Sequence, residues 1–195
     1  MEAKLRNKYF ILRHGETTHQ TQEKHLVYYW PDSNPPVSLT KKGQTQIKEI
    51  AKYLKDKKID LIFSSDIFRT RQTAGIIAKE LNLQVKQDLR LRDINWGIYQ
   101  GKTTKEAWAY YKHNMEEKFK KAPPDGESWN ELKERMIDFI KEIEKKYNQK
   151  NILIVSHGDP LWLLDTWAHG LDDKEALKSR KEGCPIKTGD LKELN

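Results

Sequence analysis

The chain has 195 residues, 36% hydrophobic and 33% charged, with six Trp, eight Tyr and five Phe; this suits one soluble globular domain able to bury a substantial core. One cysteine, Cys184, excludes an internal disulfide and reads as a small buried or loop residue, while no apolar run approaches membrane-spanning length. The net charge of +7 invites an anionic partner, but lysines alternate with acids in "KEIAKYLKDKK" and "ELKERMIDFIKEIEKKY", the pattern of solvated helix faces, so neither nucleic acid nor membrane is expected as a partner.

"MEAKLRNKYFIL" reaches its first apolar run before a signal-type stretch fits, and a cytoplasmic protein is expected. "YFIL" (9–12), "IDLIFSS" (59–65) and "NILIVSH" (151–157) are short, continuous and β-branched or aromatic, as strands buried on both faces are. Between them, Ile47, Ile50, Ala51 and Leu54 mark a helix over about 41–57; Ile77, Ala78 and Leu81 mark a second. Leu132, Met136, Phe139, Ile140, Ile143 and Tyr147 mark a third. Alternation of this kind predicts an α/β fold with a mostly parallel central sheet between helical layers. Two stretches interrupt it. Residues 20–38 hold "YYWPDSNPPVS", a loop whose aromatics need something to pack on, either as a lid over a pocket or as a plug beneath the loop. Residues 102–128 form a polar, aromatic-spotted insert, a helix followed by the turn "APPDGES".

Ligands of parallel α/β sheets bind at the carboxyl ends of the strands. "RHGE" follows the first strand, "SSDIFRTR" the second and "SHGD" the last, so Arg13, His14, Ser65, Arg69 or Arg71, and His157 should gather on one edge. Arginine forks suit phosphoryl oxygens, and a neutral imidazole nitrogen can attack phosphorus. His14-Gly15 and His157-Gly158 both follow apolar strands, which suggests backbone approaching a ligand closely. The six histidines make no H-E-x-x-H or similar pair, and no metal or other cofactor is expected.

With "LRHGET" (12–17), "SLTKKGQTQ" (38–46), "SSDIFRTRQTA" (64–74), "LRDINWGIYQG" (91–101), "PPDGESWNELKER" (123–135) and "IVSHGDPL" (154–161) in order, the chain resembles the histidine phosphatase superfamily, the phosphoglycerate-mutase-like proteins. The resemblance implies a three-layer α/β/α sandwich with a small helical cap over about 102–128, and His14 as a nucleophile that becomes phosphorylated. It implies that Arg13, Arg69 and a protonated His157 hold the phosphoryl group. Arg69 is preferred to Arg71 because it takes the arginine position of the family's S-x-x-x-R-x-x-x-T-A pattern, which runs from Ser65 to Ala74. Asp93 stands where the family usually has glutamate, the acid that protonates the leaving oxygen; Glu127 is the next candidate. Gly15, Glu16, Thr17, Gln20, Ser65 and Gly158 are the expected further contacts to a small phosphomonoester, with Gln20 where the family often has asparagine. Mutases resembling this family are longer and carry a basic cap insert without equivalent at 102–128, which favours a metal-independent phosphatase over a phosphoglycerate mutase. A catalytically idle phospholigand-binding module is the third reading, left open by aspartate at position 93.

Overall fold

A computed structural model describes residues 3–21, 25–180 and 183–195. Five strands, β1 (Lys8–Arg13), β2 (Leu61–Ser64), β3 (Val85–Gln87), β4 (Asn151–Ser156) and β5 (Leu191–Glu193), form one sheet in the order β3-β2-β4-β1-β5. All pairings are parallel except that of β5, which runs antiparallel to β1. Alternate residues of the buried strands enter two different cores. Tyr9, Ile11, Ile152 and Ile154 face one side, where helices α5 (Trp129–Lys146) and α6 (Gly158–Ala168) pack. Phe10, Leu12, Leu153 and Val155 face the other, against α1 (Lys41–Lys55) and α2 (Phe68–Leu81). The apolar runs are continuous because both faces of the sheet are covered, and the expected α/β/α layering is what the chain adopts.

Local chemistry fixes the ends of these helices. Thr40 caps α1 by accepting from the Gly43 N–H, and Ser128 with Glu131 closes a reciprocal capping box at the start of α5. The first helix ends two residues before the expected 57. The stretch expected as one helix and a turn instead holds two short helices, α3 (Thr104–Ala109) and α4 (Glu117–Lys120), before the turn at 123–127. The last described helix is α7 (Asp173–Lys178). Of the loop at 20–38, residues 22–24 lie outside the described residues.

Candidate active site

Parallel pairing of β1 with β4 sets Arg13 beside Ser156, so the residues that follow, His14 and His157, emerge side by side. Their rings lie edge to face with centroids 5.4 Å apart. From β2, Ser65 adds a hydroxyl 3.1 Å from His157 Nε2. Arg69 arrives on the first turn of α2, and Asp93 on the segment after the turn Leu89–Leu91. Thus Arg13, His14, Ser65, Arg69, Asp93 and His157 come together at the carboxyl edge of the sheet. Arg71, two residues along α2, is exposed and lies over the Phe68 ring.

The tautomer of His14 follows from one contact. Its Nδ1 is 2.9 Å from the Gly15 carbonyl oxygen, which can only accept, so Nδ1 carries the hydrogen and Nε2 keeps a free lone pair. Burial, then Arg69 and Arg13, hold the His14 pKa well below the usual imidazole value, so this ring is neutral. The same causes act on His157: burial, Arg69, His14 and Arg13 push its pKa well below that value. The expected protonated His157 is therefore corrected for the free site. Its neutral ring leaves the positive charge to the two arginines.

Asp93 is set by three neighbours. Its Oδ2 lies 3.1 Å from Arg69 Nη2 and 3.6 Å from His157 Nδ1. Its Oδ1 accepts from the Ile94 N–H. Its carbonyl accepts from Trp30 Nε1 at 3.1 Å and Arg135 Nη2 at 2.9 Å, which fixes the backbone. Burial raises the Asp93 pKa, and Asp159 adds to this, while Arg69 and Arg13 oppose it. Glu127, the alternative acid, is held in a two-point ion pair by Arg135, at 2.6 Å from Nε and 2.9 Å from Nη2. That pair is a brace for the Asp93 segment.

Among the described residues, buried Arg13 Nε, Arg69 Nε, Arg69 Nη1 and His157 Nδ1 have no hydrogen-bond partner. Arg69 is 1% exposed, so its unmet donors sit away from bulk water. A buried donor left unpaired is costly, and four of them at one strand edge, with two fixed positive charges, form a cradle for a small oxyanion.

The remaining expected contacts are placed differently. The Glu16 carboxylate turns to the start of α1, accepting from Thr40 Oγ1 and Lys42 Nζ, each at 2.9 Å. Thr17 donates both its N–H and its hydroxyl to Gln20 Oε1, at 2.9 and 2.6 Å, so these two residues are occupied with each other. The two glycines serve protein packing. A Cβ on Gly15 would stand 2.8 Å from Ile47 Cγ1, and one on Gly158 would stand 2.8 Å from Cys184 Sγ and 3.0 Å from Arg13 Nη1. Helix α1 and the Arg13 side chain thus leave no room for a Cβ at either glycine of the two His-Gly pairs. Three supporting residues were not among the expected contacts: Thr73, the threonine of the S-x-x-x-R-x-x-x-T-A pattern, whose hydroxyl accepts from the Gly15 N–H; Ile186, whose carbonyl accepts from Arg13 Nη1 at 2.7 Å; and Arg135. Arg135 does fall inside a quoted block, and its spacing of eight from Glu127 was the available clue.

A model of the histidine phosphatase superfamily (branch 1) matches residues 9–187. This chain belongs to the histidine phosphatase superfamily. It is 31% identical over 188 residues to a protein of Shigella boydii named probable phosphoglycerate mutase GpmB, covering 94% of this chain and 85% of that one. It also resembles two solved structures. One is Bacillus stearothermophilus YhfR, with a TM-score of 0.75 and 26% identity over 94% of this chain and 87% of that one. The other is a mycobacterial glucosyl-3-phosphoglycerate phosphatase, with a TM-score of 0.78 and 22% identity over 94% and 87%, a likeness of fold. No described helix is long and apolar enough to cross a membrane, and the described residues contain no group of three or more His, Cys, Asp or Glu able to hold a metal ion.

Proposed function

We propose that this chain is a phosphatase acting on a small phosphomonoester through a phosphohistidine at His14. The observation that carries the reading is the pairing of a tautomer-locked, neutral His14 with buried arginine donors that have no partner among the described residues. Arg13 and Arg69 receive the phosphoryl oxygens, and His14 Nε2 attacks phosphorus in line with the departing alkoxide. Asp93, whose raised pKa favours the protonated form, gives its proton to that oxygen. The P–O bond breaks as the P–N bond forms. The Asp93 carboxylate then takes a proton from water as it attacks the phosphohistidine, which returns His14 and releases inorganic phosphate. His157, neutral in the free site, bonds the phosphoryl group through Nδ1. The alcohol half of the ester has the cleft of about 240 Å³ between loop and cap, bordered by His19, Tyr28, Trp96 and Thr104 among others.

Trapping by quench into alkaline detergent with an aryl phosphate radiolabelled in its phosphoryl group tests this: an acid-labile, base-stable phosphoenzyme is expected, absent in His14→Ala. A stable phosphoenzyme in neither protein, with turnover intact, would overturn it. The second reading, a phosphoglycerate mutase, is favoured by the names of the 31% identical relatives. In a mutase, the labelled phosphoryl group would pass to a second hydroxyl of phosphoglycerate faster than to water; release of inorganic phosphate as the sole product supports hydrolysis.

A further inference from the structure

Two aromatics of the loop at 20–38 meet different neighbours. Trp30 lies beneath it, its Nε1 on the Asp93 carbonyl and its ring 5.0 Å from the Arg92 guanidinium carbon. Tyr28 reaches the phosphoryl side. The Arg69 guanidinium carbon stands 4.1 Å from the Tyr28 ring centroid. The His19 ring stacks on Tyr28 as well, with centroids 3.8 Å apart and planes 24° apart. Two groups at such distances cannot share one face of a ring, so His19, Tyr28 and Arg69 form three successive layers.

The stack is pinned at each level. His19 Nε2 donates to the Leu26 carbonyl at 2.7 Å. The Tyr28 hydroxyl accepts from Gln20 Nε2 at 2.7 Å, and Gln20 is locked to Thr17. Arg69 itself is held at its far end by Asp93 alone, through one nitrogen, Nη2. A guanidinium with a free edge and one neighbouring carboxylate is drawn to turn and form a two-point pair with it. Such a pair would consume the donors meant for the phosphoryl group and hold Asp93 ionised. An aromatic face against the guanidinium plane opposes that rotation.

We propose that Tyr28 is a positioning residue: its ring fixes the plane of the Arg69 guanidinium so that its unpartnered nitrogens, Nε and Nη1, stay available to the phosphoryl group. The proposal rests on Arg69 being a phosphoryl ligand, as read above. The loop thereby acts on the phosphoryl side through Arg69, in addition to bordering the cleft for the alcohol half.

A double-mutant cycle on full-length protein tests this, reading kcat and KM for p-nitrophenyl phosphate and affinity for orthovanadate. Tyr28→Ala is expected to lower kcat/KM by about 10-fold or more and to weaken vanadate binding to a similar degree, the size of a desolvated cation–π contact. Tyr28→Phe, which keeps the ring, should stay within about 2-fold of the native enzyme on the same grounds. In an Arg69→Ala background, Tyr28→Ala should cause no further loss. The proposal is overturned if Tyr28→Ala matches the native enzyme, if Tyr28→Phe is as impaired as Tyr28→Ala, or if the two losses simply add. Should Tyr28→Ala not fold, Tyr28→Leu replaces it in the same cycle. If the native enzyme forms no phosphohistidine, the reading of the whole site fails with it; phosphohistidine formation combined with an additive cycle sinks the Tyr28 proposal alone.

Discussion

Two clusters of buried positive charge flank the start of α6, and they are built for opposite ends. On one side are Arg13 and Arg69, with four nitrogens of that site lacking partners among the described residues. On the other are Lys118, fully buried, and Arg180, 7% exposed, with Asp159 between them. Asp159 accepts from Arg180 Nη2 at 2.7 Å and Trp129 Nε1 at 2.8 Å, and its Oδ2 lies 3.4 Å from Lys118 Nζ. The Lys118 ammonium is 3.5 Å from the Trp96 ring centroid, 4.7 Å from that of Trp129 and 4.9 Å from that of Trp108. Arg180 lies over Trp129 and Trp162. Indole faces and one shared carboxylate thus enclose the charges of the second cluster from within, although among the described residues buried Arg180 Nε and Nη1 also have no hydrogen-bond partner. In the first, a single ring and a carboxylate at its rim leave the arginine edges open. A cation enclosed by indole faces and a central carboxylate is architecture; two arginines converging on a tautomer-locked histidine can take a ligand.

The largest expected effect separates the clusters by stability. Asp159→Asn removes the one negative charge shared by Lys118 and Arg180 and should cost about 3–5 kcal/mol in urea denaturation, as for breaking a buried pair. A loss under about 1 kcal/mol would mean that the tryptophans alone carry these cations. On the other side, Arg13→Ala and Arg69→Ala should each forfeit roughly 3–4 kcal/mol of transition-state stabilisation, read from kcat/KM, because they are open to a ligand. Arg71→Ala, on the exposed face of α2, should change kcat/KM by less than about 0.5 kcal/mol.

Asp93→Asn keeps the shape and cannot deliver a proton. It should slow alkyl phosphates by roughly 100-fold and activated aryl phosphates far less, compared by single-turnover phosphorylation of His14. Equal slowing of both would remove Asp93 from the role of acid. The directions of the two pKa shifts set the pH profile: raised Asp93 must be protonated, and depressed His14 must be neutral. Activity toward alkyl phosphates should therefore fall as pH rises through the Asp93 pKa and fall again in acid as His14 takes up a proton, with an optimum on the acid side of neutrality. Asp93→Asn should abolish the alkaline limb.

Only a small loss of stability at neutral pH is expected from Lys118→Met, within about 1 kcal/mol, since a hydrophobe of similar length fills the indole cage while Arg180 keeps Asp159. Its signature lies in alkali. Burial lowers the Lys118 pKa to about 8, against the pull of Asp159, from an ordinary 10.5. Between those values the unfolded chain holds the proton that the folded chain has released, so native stability should rise with pH across the window. Urea midpoints of the variant should lack that rise.

The same contrast explains what was legible in the sequence. Strands β1, β2 and β4 announce themselves because burial on both faces leaves no polar residue in the run, and whatever follows each run is carried to one edge. That logic located Arg13, His14, Ser65 and His157 and narrowed the remaining arginine to Arg69 or Arg71, between which the family resemblance chose. It was silent on Lys118, which stands in "KFKK" and reads as one more solvated lysine; its burial needs indoles from positions 96, 108 and 129, brought together by tertiary packing. Glu16 misled in the converse way: its place in "RHGE" suggests the site, but helix α1 starts beside it, and the Thr40 hydroxyl and Lys42 ammonium there claim its carboxylate. Strands β3, "VKQ", and β5, "LKE", were missed because three residues with exposed charges carry no period.

Those two short strands are the margins of the sheet. Each has two of its three residues exposed. Lys86 of β3 reaches the Tyr147 hydroxyl, while on β5 Lys192 pairs with Asp165 and Glu193 with Lys8 and Lys57. A brief, charged margin offers a poor template for a foreign strand. Both ends of the sheet are thus closed to edge-to-edge growth, and the strand that carries His14 is kept one place inside that boundary, where no neighbouring chain can pair with it.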